Sequence, residues 1–178
     1  MSRILMSRYN QPMKHDRIDE ILAQWQQQSP QLDVSGLAIV GRVLRIARLL
    51  EKHRETVLAD FGLNVWSFDV LATLRRQGPP YQLKPTELYS LLMLSSGAMT
   101  NRIDRLELDG VVQRIRDPDD RRSVSVQLTS KGIELTDSVM PVLFAKENQF
   151  LAQFTNTETE TLIELLRRFL LSLNEVEK

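Results

Sequence analysis

The chain has 178 residues, with 23 Lys and Arg against 23 Asp and Glu, two His and no Cys. That length suits one domain, or a small domain with helical extensions, and suffices for a buried core; the missing cysteines exclude disulfide scaffolds, Cys-ligated zinc, thiol nucleophiles and thiol redox sensing. His15 and His53 leave little for a metal centre or a Ser-His-Asp triad, and a formal net charge of zero counts, taken whole, against a polyanion partner.

In chain order, the opening "MSRILMSRYNQPMK" has basic residues but no continuous apolar core, so it does not read as a secretory signal. Residues 14–28 form a short amphipathic helix, with Ile18, Ile21, Leu22 and Trp25 at helical spacing. "SPQLDVSG" is a connector, and residues 34–60 form a long helix carrying Leu37, Val40, Leu44, Ala47, Leu50 and Leu58, with Gly62 as its stop. Arg42, Arg45 and Arg48 interrupt its most apolar stretch, and no run reaches the roughly 18 apolar residues that span a bilayer. A cytoplasmic protein with no membrane partner is expected.

"NVWSFDVLATLRR" resumes helix behind an Asn64 cap and closes at Gly78-Pro79-Pro80. "KPTELYSLLML" places Pro85 in a first turn, and the helix runs to about Leu92. "SSGAMTNRIDRLELDG" reads as one helix from its Ser caps to Gly110. Two β-rich runs follow, "VVQRIR" and "SVSVQL"; in the second, Val124, Val126 and Leu128 alternate with polar residues. "DPDDRR" links them. Thr129 starts another long helix, expected to break or kink near Pro141. Thr157 and Glu160 have capping-box spacing for the last helix, which carries Leu162, Leu165, Leu166, Phe169, Leu170, Leu173 and Val176. The fold class is therefore mainly α with a small β-hairpin wing: a winged helix-turn-helix core over 63–132, flanked by helical segments 14–62 and 133–178.

A helix, a turn, a second helix and a hairpin suit duplex DNA, since a helix fits the major groove and a basic hairpin tip reaches backbone or minor groove. In the second helix Met99, Ile103 and Leu106 share an inward face, with Asn101 and Arg105 roughly opposite. Asn is the side chain type that reads adenine and Arg the type that reads guanine. Ser95 or Ser96 can donate to phosphate beside the free helix amides, Thr100 joins that surface, and Arg121 and Arg122 sit at the hairpin tip. The alternative is that Asn101 and Arg105 form only the solvated face of a core helix. Two arginines in a wing directly after such a helix tip the balance toward DNA.

The zero net charge is a sum of unlike parts: residues 1–54 carry a net +4 and residues 132–178 a net −4. The helix from residue 34 and the last helix hold more apolar surface than one small winged core covers. They pack within the chain or form a homodimer interface; the interface is favoured, because a two-fold dimer supplies two half-site readers. Asp69, mid-helix among apolar residues where Asp is a poor helix former, and Arg102, on the flank of the reading helix, are tolerable when partly buried only if paired or ligand-bound. Trp25 anchors its own helix or contributes to a ligand site.

The segment "DRLELDGVVQRIRDPDDRRSVSVQLTSKG", Asp104 to Gly132, resembles the wing signature of MarR-family transcriptional regulators, in Asp120, Arg122, Leu128 and Thr129. The resemblance covers about residues 34–175. It implies an obligate homodimer with interleaved first and last helices, minor-groove contact by Arg122, and a wing buttressed by Asp120. "ILAQWQQQSPQLD", "FDVLATLRRQGPPY" and "TNRIDRLE" are similar to the PecS-like, urate-responsive subgroup of that family. The similarity implies that Trp25, Asp69 and Arg102 surround an anionic purine, with Arg114 as a further basic position. It also implies that Asp69 accepts a ring N–H, or holds Arg102 when no ligand is present. No cofactor or metal is expected. The function expected is a DNA-binding regulator, most simply a repressor, released by a small planar anion such as urate. The alternatives are a relative answering to another aromatic or phenolic effector, and a winged-helix protein adaptor. No GxSxG, Walker A, GxGxxG or HExxH motif supports an enzyme.

Overall fold

The computed structural model describes residues 15–92, 96–116 and 124–176; of Ser96, Gly97, Ala98, Met99, Glu175 and Val176 it describes the backbone alone. Ser95, Asp120, Arg121 and Arg122 lie outside the described residues. The chain divides into two compact units, residues 1–53 and 54–178.

In the first unit, α1 (Arg17–Gln28) begins at Asp16, whose carboxylate accepts from the amides of Ile18 and Asp19 while Asp19 accepts from the Asp16 amide. This reciprocal pairing satisfies helix amides that have no partner within the helix. α2 (Leu37–Ala59) begins in this unit. Gly41 removes a side chain where Ile18 comes in; a Cβ there would stand 3.1 Å from Ile18 Cδ1. Beside that contact, the Arg42 guanidinium reaches Asp16 at 2.9 Å and Asp19 at 2.6 Å. Of the expected stripe, Val40, Leu44 and Leu50 are 40–54% exposed, whereas Leu58, at the far end of the helix, is fully buried.

The second unit takes the end of α2, a turn at Gly62 (φ +69°) and α3 (Val65–Arg75). Asn64 caps α3 as expected, its Oδ1 accepting from the Ser67 amide at 3.0 Å. α4 (Pro85–Leu92) starts on Pro85, as expected from a residue whose missing N–H costs nothing there. α5 (Ser96–Leu108) ends at Gly110, φ +71°. The hairpin comprises β2 (Val112–Arg116) and β3 (Val124–Leu128), antiparallel with Arg114 opposite Val126. A two-residue strand, β1 (Gln82–Leu83), pairs with β3 on its other side, giving the order β1-β3-β2. Sequence reading missed β1, which is too short to show alternation.

The core of this unit joins Leu71, Leu74, Leu88, Ile103, Leu106, Val126 and Leu128, all at most 4% exposed. A second cluster, Leu58, Phe68, Val139 and Leu143, packs the end of α2 and α3 against α6 (Ser130–Leu151). The break expected at Pro141 does not occur, and the cap expected for the last helix is displaced. α6 runs continuously through Pro141; the carbonyl the proline leaves unpaired belongs to exposed Asp137. The cap of α7 (Asn156–Val176) is formed by Thr155 and Glu158, two residues before the expected pair: Glu158 Oε2 accepts from the Thr155 amide at 2.8 Å.

Candidate nucleic-acid interface and effector site

α5 is placed by its apolar side. Ile103 and Leu106 are 2% and 1% exposed, which leaves Asn101, Asp104 and Arg105 in solvent on the opposite side and Thr100 exposed beside them. Arg102 falls on the flank, half-buried, with its guanidinium 5.4 Å from the ring centroid of Trp66. Arg105 also lines a cavity of about 610 Å³ shared with Trp66, Asn64, Asp109 and Lys131.

The hairpin is tied to α5 by Arg114. Its guanidinium bridges Asp104 at 2.5 Å and Glu107, and its backbone amide donates to Glu107 Oε1 at 3.0 Å. The hydrogen bond to Asp104, reinforced by Glu107, raises the Arg114 pKa against the opposing effect of burial. Thr129 closes the base of the wing: its amide donates to the Val111 carbonyl at 3.2 Å and its hydroxyl to the Gly110 carbonyl at 2.8 Å.

Of the residues implied for an effector, Trp25 lies on α1 in the first unit, 43% exposed. The others lie in the second unit, each with its own partner. Asp69 does not hold Arg102, and that expectation is corrected. Its carboxylate pairs with Arg54 at 3.0 Å, in the last turns of α2. The reason is positional: Trp66 stands one turn before Asp69 on α3 and takes the face of Arg102. Arg54 also approaches Glu147 of α6 at 3.6 Å and lies 5.6 Å from the Phe68 ring centroid. Arg114 is engaged by two carboxylates, so an anion would have to compete with them. Sequence reading missed Arg54, Trp66 and the two acids that receive Arg114. The available signal was the spare basic residue before Gly62 and the two acids of α5, Asp104 just before Arg105 and Glu107 two residues after it.

No group of three or more His, Cys, Asp or Glu that could hold a metal occurs among the described residues. No helix among them is long and apolar enough to cross a membrane.

A reading helix exposed opposite its buried face, a preceding helix packed at Leu88, and a hairpin clamped to it define a winged helix-turn-helix DNA-binding protein. The model of the MarR family matches residues 63–124. The chain is 35% identical over 151 residues to the HTH-type transcriptional regulator PecS of Dickeya dadantii (strain 3937), covering 85% of this chain and 91% of that protein. The chain belongs to the MarR family, and is a DNA-binding transcriptional regulator rather than an enzyme. Among solved structures, a cysteine-to-serine mutant of E. coli MarR complexed with operator DNA matches with TM-score 0.66 and 27% identity, over 78% of this chain and 99% of that one. AbsC, a MarR family regulator from Streptomyces coelicolor, shares the fold at TM-score 0.72 and 23% identity, over 81% of this chain and 97% of its own.

Proposed function

We propose that the chain acts in the cytoplasm as a homodimeric repressor on a pseudo-palindromic operator, and that a small planar anion such as urate weakens its DNA binding. The observation that carries the reading is the exposure of Asn101 and Arg105 opposite buried Ile103 and Leu106. In this reading residues 63–132 read DNA, with Ser95, Ser96, Thr100, Asn101 and Arg105 toward the major groove. Arg121 and Arg122 reach from a wing buttressed by Asp120.

Segments 14–62 and 133–178 supply the dimer. Ile163, Leu165, Leu166, Leu170, Leu171 and Leu173 of α7 are each 49–60% exposed, and Ile39, Leu44, Ile46 and Leu49 of α2 each 54–59%. Monomers rarely leave contiguous apolar faces of this kind in water. A two-fold dimer covers them and sets two reading helices about one helical turn, roughly 34 Å, apart.

The effector residues are Trp25, Asp69, Arg102 and Arg114. An indole stacks on a flat ring, Arg pairs with an oxyanion, and Arg102 belongs to the reading helix, so a ligand it holds bears on DNA affinity. The test is a gel shift on the DNA upstream of the chain's own gene, with and without urate, alongside calorimetry of the dimer. Release by urate, with weaker binding in Trp25→Ala and Arg102→Ala, is expected. Release by a phenolic acid but not by urate would replace the ligand and keep the regulator. Urate binding untouched in Asp69→Ala and Arg102→Ala would overturn the assigned residues.

A further inference from the structure

Within the first unit, α1 is held at one end. Ile18 is its one buried residue, seated where Gly41 gives α2 no side chain; a Cβ at Gly41 would stand 3.1 and 3.4 Å from Ile18 carbons. Glycine is a poor residue for a helix interior, and its place in α2 is explained by this close approach. Ile21, Leu22 and Trp25 continue the stripe from Ile18 at helical spacing, but burial fades along it. Ile21 and Leu22 are half-buried, and Trp25 is 43% exposed.

Arg42, next to Gly41, grips the same end of α1. Its Nε donates to Asp16 Oδ2 at 2.9 Å, and one terminal nitrogen donates to Asp16 Oδ1 at 3.2 Å and to Asp19 Oδ1 at 2.6 Å. The other terminal nitrogen donates to the Ala38 carbonyl at 2.8 Å, which fixes the guanidinium to its own helix. The two carboxylates it reaches are those that cap α1. Single exposed ion pairs contribute little, whereas a guanidinium forked over carboxylates is the geometry in which such pairs count. The Arg42 pKa is raised accordingly, first by the hydrogen bond to Asp19 and then by that to Asp16. A helix of 12 residues is marginal alone in water, so this attachment serves both the start of α1 and its direction.

We propose that Arg42 is a positioning residue for Trp25: by holding both carboxylates of the α1 cap, it fixes the direction in which α1 leaves α2 and so where the indole stands. Trp25 lies about 10 Å along the helix axis from Ile18, so a tilt of about 10° at the anchor moves the indole by about 2 Å. The proposal rests on the place of Trp25 in the effector reading above and adds the residue that presents it. Arg42 touches no ligand in this account and acts through α1. An indole in place only part of the time lowers the apparent ligand affinity by that fraction.

The experiment has a ligand-free arm and a ligand arm, both on the full-length protein. With Trp66→Phe, Trp25 is the sole tryptophan, and acrylamide quenching of its fluorescence reads its exposure. Arg42→Gln is expected to raise the quenching constant, and Arg42→Lys, which keeps the charge without the fork, to fall between it and the parent. With Trp66 in place, calorimetry is run with urate and with salicylate. Arg42→Gln is expected to bind the preferred anion roughly fivefold more weakly, as follows if the indole is in place about one-fifth of the time, and to keep its duplex affinity in ligand-free buffer. Quenching unchanged by Arg42→Gln would overturn the positioning role. Raised quenching with the anion bound as in the wild type would overturn its bearing on the ligand and leave the effector reading standing. Duplex affinity lost along with ligand affinity would make Arg42 a support of the whole fold and overturn the proposal. Binding of neither anion by the wild type would overturn both the proposal and the effector reading.

Discussion

Gly132 gives the sharpest test of how the wing is seated. It lies in the first turn of α6, where a Cβ would stand 2.0 Å from the Val111 carbonyl oxygen and 3.3 Å from Leu128 Cδ2. Carbon-to-oxygen contacts settle at about 3.3 Å or more, so Gly132→Ala creates an overlap of more than an ångström against backbone. Neither side yields cheaply: the Val111 carbonyl accepts from the Thr129 amide, and the Gly132 amide donates to Thr129 Oγ1 at 3.1 Å. In an unhindered helix Ala is favoured over Gly by about 1 kcal/mol, while overpacking that moves backbone costs about 3 kcal/mol. The net is a loss of about 2 kcal/mol, a fall of about 4–8 °C in Tm for a chain of this size. Thermal unfolding by circular dichroism at fixed protein concentration measures it, since Tm varies with concentration in an associating protein. Gly36→Ala is the control, because a Cβ at Gly36 meets nothing within 4 Å. A Gly132→Ala protein as stable as the wild type would refute the reasoning.

Three other tests address separate parts of the molecule. The Asp137 pKa is lowered, chiefly by its hydrogen bonds from Arg75 at 2.8 and 3.0 Å, which join α3 to α6. Stabilisation from this pair is therefore complete above the ordinary aspartate range and lost as pH falls through the lowered value. The deficit of Asp137→Asn should shrink in acid; a deficit independent of pH would contradict it. Leu165→Glu with Leu170→Glu, both on exposed α7 positions, should yield monomers by sedimentation, and an unchanged assembly would remove α7 from the interface. Arg105→Ala should reduce the slope of log affinity against log salt by about one if Arg105 meets phosphate, or relax sequence preference with the slope kept if it meets a base.

The periodicity of the helices and the alternation of β3 were legible because each depends on local geometry and one buried face. The misses fall where local signals repeat or distance intervenes. Thr155–Glu158 and Thr157–Glu160 share one spacing, and only the turn closed by the Phe154 amide on the Leu151 carbonyl shows which cap α7 uses. Asp69 stood out as an acid among apolar residues, yet its partner depends on how the end of α2 crosses α3. Two helices place Arg54 within 3.0 Å of it across fifteen residues of sequence. Arg114 was visible as a basic strand residue, while the register that presents it to Asp104 and Glu107 is a property of the folded hairpin.

The same pairings explain how a chain of zero net charge can still leave cations in solvent beside α5. α5 contributes two arginines, Arg102 and Arg105, and two acids, Asp104 and Glu107, in nearly alternate positions, so its sum over the helix says nothing about its faces. Folding separates them. Arg102 turns onto Trp66, and Arg114 arrives from β2 to pair with both acids and offset one of their two charges, whereas no ion pair among the described residues includes Arg105 or Arg116. Asp69 and Asp137 are likewise paired internally, with Arg54 and Arg75. Phosphate feels the charges left in solvent within about a Debye length, some 8–10 Å, and not the total for the chain. In the proposed dimer, selectivity falls to the side chains of α5 and to the spacing between two copies of it.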